Sequence, residues 1–180
     1  MLSRWDRAVV EAFQHAHWHP ADVVFIHLSG WWVHSVLIVG IGLAADLWLR
    51  RLPIATALAT AAYLAADGLT YELKRAFDRP RPPVADPAVH PLVAVPHDHS
   101  MPSGHASTAF AAAVAVGLVH PRLRWPLLAL ATLIAISRVW LGVHYLSDVL
   151  AGAALGTAVA LLLWLLTRAR ATGSRRRARP

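Results

Sequence analysis

Residues 137–167 read SRVWLGVHYLSDVLAGAALGTAVALLLWLLT, a polar start followed by an apolar remainder. From Val143 to Thr167 the run is long enough to cross the hydrocarbon core of a bilayer as a helix, which takes about 20 predominantly apolar residues. His144 and Asp148 stand four apart near its start, a spacing that stacks two side chains one turn apart on one helix face. Gly152 and Gly156 continue that face as a small-xxx-small pair. Such a pair lets a neighbouring helix approach closely, and it aims the His144 face inward.

The rest of the chain supports a membrane reading. Its 180 residues are 57% hydrophobic and 15% charged, with a mean hydropathy of +0.47, too apolar for an ordinary soluble domain of that length. Further spans are expected at Trp31 to Trp48, Leu52 to Tyr71, Ser103 to Val119 and Trp125 to Ile136. The last reaches full length only if Ser137 to Leu141 continue its helix. The expected fold is therefore all-α: an integral membrane bundle of about five transmembrane helices in a single domain over 1–180, with its core at about 31–166. Residues 1–19 mix charged and apolar positions at helical spacing, which predicts an amphipathic interfacial helix rather than a signal peptide. Asp22 to Leu28 fits either a half-inserted helix or the true start of the first span. Without cysteine there is neither a disulfide framework nor a thiolate metal site.

A formal charge of +7 raises the question of nucleic acid, but the basic residues gather at the ends of apolar segments rather than along one face. Arg50 and Arg51, Arg122 and Arg124, and Arg168, Arg170 and the tail at 168–180 all fall on one side of a five-span chain. The positive-inside rule makes that side cytoplasmic. Lys74, Arg75, Arg79, Arg81 and the loop to Met101 then face outward, and the expected location is the cytoplasmic (inner) membrane.

Three polar stretches meet on that outer face: Lys74 to Pro82 (KRAFDRPRP), Pro102 to His105 (PSGH) and Ser137 to Asp148. A carboxylate at Asp148 can accept the His144 imidazole N–H, fix its tautomer and stabilise the imidazolium that forms if the other nitrogen attacks phosphorus. Alone, such a pair is equally a polar contact between helices. In PSGH, Pro102 sits near the first helical position, and the following Ser103 and Gly104 open a helix whose free amides favour an anion. Alone, this is an ordinary capping sequence. His105 beside it is a candidate general acid for a leaving oxygen. Lys74, Arg81 and Arg138 supply cations, and the planar Arg fork suits phosphate. Any one of them alone is as readily a lipid-headgroup contact.

In order and internal spacing, Lys74 with Arg81-Pro82, then Pro102-Ser103-Gly104-His105, then Ser137-Arg138 with His144 and Asp148 resemble the signature of the type 2 phosphatidic acid phosphatase superfamily. The resemblance covers about Trp31 to Leu166. It implies an all-helical bundle that hydrolyses phosphoesters through a phosphohistidine, with no cofactor and no metal. His144 would be the nucleophile, Asp148 its orienting partner and His105 the acid, while Lys74, Arg81, Ser103, Gly104 and Arg138 would hold the phosphoryl oxygens. The implied partners are membrane lipids and a lipid phosphate or diphosphate substrate: undecaprenyl diphosphate, phosphatidic acid, phosphatidylglycerophosphate or a lipid-linked sugar phosphate. Nucleic acid is not among them. Vanadate-dependent haloperoxidases resemble the same site but are soluble, and a non-catalytic lipid-phosphate binder would need cations without a nucleophile.

Other polar residues carry less. His90, His97, Asp98 and His99 lie in a Pro-rich loop without a frame for metal ligation, and His15, His17 and His19 are expected on an interfacial surface. Asp67, seven residues before Lys74, is expected to bond a neighbouring helix rather than to line a cavity.

Overall fold

The computed structural model describes residues 4–30, 32–49 and 52–177, the side chains at 34, 35 and 170–177 apart. Every regular element among the described residues is helical. The order is α1 (Arg4–His15), α2 (His19–Leu28), a π turn (Val33–Leu37) running into α3 (Ile38–Trp48), α4 (Ile54–Phe77), the short α5 (Pro82–Ala85), α6 (Gly104–Val119), a 3-10 turn (Pro121–Leu123), α7 (Arg124–Trp140) and α8 (Leu146–Arg177).

The centre of the bundle is α6, packed mainly against α8 and α4 and next against α7. Its sequence, GHASTAFAAAVAVGLV, is small and apolar on all sides, the pattern of a helix buried all round. Ala106, Ala109, Ala111, Ala112, Ala113 and Ala115 are all fully buried. The expected role of Gly152 and Gly156 is borne out in atomic terms. A Cβ on Gly156 would run into the Ser107 carbonyl and stand 2.9 Å from the Ala111 amide nitrogen, and one on Gly152 would meet the Ser103 carbonyl. The two glycines therefore let α8 lie directly on the backbone of α6, beside the PSGH turn.

Among the described residues, two helical stretches are long and apolar enough to cross a membrane, Pro121–Trp140 and Leu146–Ala169. The first confirms that Ser137 to Leu141 largely continue the helix. α3 and α6 are apolar but shorter, at 11 and 16 residues. α4 has the length, at 24 residues, but threonines, tyrosines and Asp67 dilute its apolarity. Trp31, Arg50, Arg51 and the side chains of the basic tail fall outside the described residues.

At the amino-terminal side, α2 is a separate ten-residue helix, about 15 Å long and too short to span. It is held to α7 by the Trp140 indole N–H, which donates to Asp22 at 2.8 Å. α1 is amphipathic as expected, but it does not lie apart from the bundle. Phe13 meets the Trp140 ring edge-on at 5.5 Å, and Gln14 exchanges two hydrogen bonds with the His90 backbone. His17 corrects its expected place on the interfacial surface: its Nε2 lies 3.1 Å from the Trp140 carbonyl, with its ring packed on the indole. His15 and His19 are exposed.

Candidate active site

The three polar stretches do converge. Lys74 comes from the last turns of α4, Arg81 from the turn into α5, Ser103 and Gly104 from the start of α6, Arg138 from the end of α7, and His144 and Asp148 from the α7–α8 connection and the first turn of α8. Lys74, Gly104, His105, Arg138, Arg81 and His144 line one cavity of about 400 Å³. That is within the range of ligand pockets, about 300–1,000 Å³.

One expectation is corrected here. His144 is not on the helix with Asp148, because α8 begins only at Leu146. Gly142, at a φ of +71° that favours glycine, turns the chain, and Asp148 then reaches back to accept the Tyr145 amide at 2.9 Å. This is the carboxylate half of a capping box, and it starts α8 after His144 rather than before it. The pair still meets, with His144 Nδ1 3.5 Å from Asp148 Oδ2, the outer limit of a hydrogen bond.

Arg81 fixes the imidazole. Its Nη1 donates to the Val143 carbonyl at 2.9 Å and contacts His144 Nε2 at 3.0 Å. A guanidinium only donates, so Nε2 must accept, and the ring hydrogen sits on Nδ1 facing Asp148. The Nε2 lone pair therefore points into the cation cage. Burial, reinforced by the charges of Arg81 and Arg138, pushes the His144 pKa down to about 3 against the opposing pull of Asp148, which keeps the imidazole neutral.

Ser103 Oγ, next to the cavity-lining Gly104, and Arg138 Nε are buried with no partner among the described residues. Buried polar groups normally find partners, so both atoms are open to an anion in the cavity. Gly104 opens α6, whose first-turn amides have no intrahelical acceptors. A Cβ on Gly104 would meet Thr70 only at 3.7 Å, so packing does not demand glycine there, whereas close approach of an anion would. The Ser103 amide is already used, donating to the Asp148 carbonyl at 2.9 Å. His105 Nε2 lies 3.0 Å from the Ser29 carbonyl, which can only accept, so that nitrogen carries a proton beside the cavity.

Sequence reasoning missed four contributors. Asp98, set aside as a loop residue, points into the cage: it ion-pairs with Lys74 and with Arg81 at 2.5 Å, and its carbonyl accepts from Arg81 Nε at 2.9 Å. Burial pushes its carboxyl up, but the hydrogen bonds and charges of Lys74 and Arg81 outweigh this and bring the pKa down to about 2. Arg79 holds Asp148 from behind at 2.5 Å, bonds Asp6 of α1 at 2.7 Å and lies over the Tyr145 ring. Ser100 also donates to Asp148. Ser29 ties the site to the α2 end, its hydroxyl accepting from Arg138 at 2.6 Å. Asp67 is a further correction, since it lines the cavity instead of bonding a neighbouring helix.

The family model described as "PAP2 superfamily" matches residues 52–171, two thirds of the chain and all three stretches. The chain belongs to the PAP2 superfamily. Solved PAP2-like structures share its fold. LpxE of Aquifex aeolicus superposes with a TM-score of 0.75 at 25% identity, over 88% of this chain and 94% of that one. The transmembrane PAP2-type phosphatidylglycerolphosphate phosphatase of Bacillus subtilis gives 0.71 at 22% identity, over 91% and 84%. Undecaprenyl-diphosphatase BcrC of Bacillus subtilis is 37% identical over 82 residues, 46% of this chain and 42% of that protein. The chain thus spans about two fifths of the curated relatives that it matches first. Its apolar helices, together with a transmembrane relative of the same fold, mark this PAP2 chain as a membrane protein.

Proposed function

We propose that this protein is a membrane lipid phosphatase that works through a phosphohistidine on His144, without metal, on the outer face of the cytoplasmic membrane. The observation that carries the reading is that Lys74, Arg81 and Arg138 line one cavity with His144, whose Nε2 faces Arg81. A phosphate entering this cavity displaces the Asp98 carboxylate from Lys74 and Arg81 and takes up Ser103 Oγ and Arg138 Nε. His144 Nε2 then attacks phosphorus, the bond to the leaving oxygen breaks, and His105 delivers its proton to that oxygen. Asp148 stabilises the positive ring, and the cage holds the equatorial oxygens of the transition state. In the second step water gives a proton to His105 and attacks phosphorus, the P–N bond breaks, and the neutral His144 imidazole and the protonated His105 are both restored.

The reading takes five spans in a single domain with the basic tail cytoplasmic, an arrangement that the positive-inside rule would give and that puts the site on the outer face. The substrate is a lipid phosphomonoester or diphosphate, the class that the names of the relatives describe. Phosphate release from a panel of lipid phosphates by the purified protein, without added metal, tests the reading beside His144→Ala. Equal turnover by the variant would sink it, and loss of activity on chelation with recovery by one divalent ion would replace the mechanism.

A further inference from the structure

Below the cation cage the cavity continues between α4 and α6, and its wall there is polar where contact with a lipid tail would favour an apolar one. Asp67, Thr70 and Lys74 fall at i, i+3 and i+7 of α4, so one helix face carries polar groups about 10 Å down from the cage. Thr70 is buried, and its hydroxyl has no partner among the described residues. Asp67 is exposed at the cavity wall, with no hydrogen bond or ion pair among the described residues. Across from them, Thr108 of α6 lines the same space, its hydroxyl donating to the Gly104 carbonyl at 2.9 Å. An unpaired hydroxyl and an unpaired carboxylate within a membrane bundle are both costly. Both border the space next to His105, where the leaving group of a bound phosphoester has to lie.

We infer that Asp67 and Thr70 form a subsite for a hydroxyl-bearing leaving group, so that the preferred substrate is a lipid phosphomonoester whose phosphate is carried on a polyol. This rests on the phosphatase reading above. A polyol hydroxyl donates to the Asp67 carboxylate, and the Thr70 hydroxyl both donates and accepts. Charge argues against a diphosphate: with its terminal phosphate in the cage, the second phosphate would lie on the leaving side, toward the Asp67 carboxylate and away from Lys74.

Three lipids in nanodiscs separate the alternatives: phosphatidylglycerophosphate, phosphatidic acid with the same acyl chains, and a polyprenyl diphosphate. The expected kcat/KM is at least about tenfold higher for the first than for either other lipid, because a site built to bond a hydroxyl rejects analogues lacking it. Asp67→Ala and Thr70→Val should each bring the ratio of phosphatidylglycerophosphate to phosphatidic acid turnover toward one, and Asp67→Ala should improve the diphosphate relative to both. A ratio near one in the unsubstituted chain, or fastest turnover of the diphosphate, would overturn the subsite and leave the phosphatase reading standing. No turnover of any lipid would overturn the phosphatase reading instead. Binding of the same lipids to the His144→Ala chain then decides the subsite alone: tighter binding of phosphatidylglycerophosphate, lost in the doubly substituted Thr70→Val chain, supports it, and equal binding refutes it.

Discussion

Two histidine–carboxylate pairs lie buried at opposite ends of α6, and they differ in what is left over. At one end Asp46 is fully used: Oδ2 accepts the Thr56 amide at 3.0 Å and its hydroxyl at 2.9 Å, and Oδ1 meets His120 Nε2 at 2.9 Å. Thr56 stands in the first turn of α4, so this carboxylate caps a helix start and ties α3, α4 and the α6 end together. At the other end, His144 and Asp148 stand among Arg81, Arg138 and Lys74, with buried atoms still unpartnered. The pairing itself is therefore no mark of chemistry. The mark is the gathering of buried cations and unused donors around the His144 imidazole.

The sharpest way to break this contrast is to truncate each histidine. His144→Ala should cost at least about a thousandfold in phosphate release while the protein stays folded, as expected for loss of a nucleophile. His120→Ala should leave turnover per folded molecule intact and lower the thermal midpoint in detergent, and Asp46→Ala should cost about 3–5 kcal/mol by breaking a buried pair. The reverse pattern would put the active site at the wrong end. A smaller effect is expected from Asp148→Asn, with about a hundredfold or greater loss in kcat and little change in competitive inhibition by phosphate, since the residue orients and stabilises the ring rather than holding the anion. Undiminished turnover would remove Asp148 from the mechanism.

Protonation sharpens the same comparison. Because burial and two arginines depress its pKa to about 3, His144 should show no titration between pH 8 and 5 in spectra of the ¹³C-histidine-labelled protein. The neutral, nucleophilic form persists as pH falls and is lost only on approach to the depressed value. A midpoint near the ordinary histidine value of about 6.5 would mean that the ring is neither dry nor close to its cations. The smallest change is predicted for Asp98→Asn. Removing a carboxylate that competes for Lys74 and Arg81 should tighten inhibition by inorganic vanadate by about three- to tenfold, about 1 kcal/mol. Weaker inhibition would show that Asp98 instead holds Arg81 in its binding pose.

The helices and the meeting of the three stretches were legible in the sequence because apolar run length and motif spacing are local properties. The meeting of Ser103, Gly104, Arg138 and His144 was legible because the ends of successive helices alternate between the two ends of a bundle. The contributions of Asp98, Arg79 and Ser29 were not legible. Each depends on where a loop or helix end is carried by packing elsewhere, and no periodicity records that. The displacement of His144 from its helix shows a finer limit. Four-residue spacing is compatible with a shared helix face, but an acidic third residue can also cap the helix, and the Asp148 bond to the Tyr145 amide decided for the cap.

The Asp6–Arg79–Asp148 chain has a practical corollary. The carboxylate beside the His144 ring is braced through Arg79 by a side chain of α1, more than a hundred residues away in sequence. Any change that trims or displaces α1 is therefore expected to disturb the Asp148 carboxylate, whatever its distance from His144.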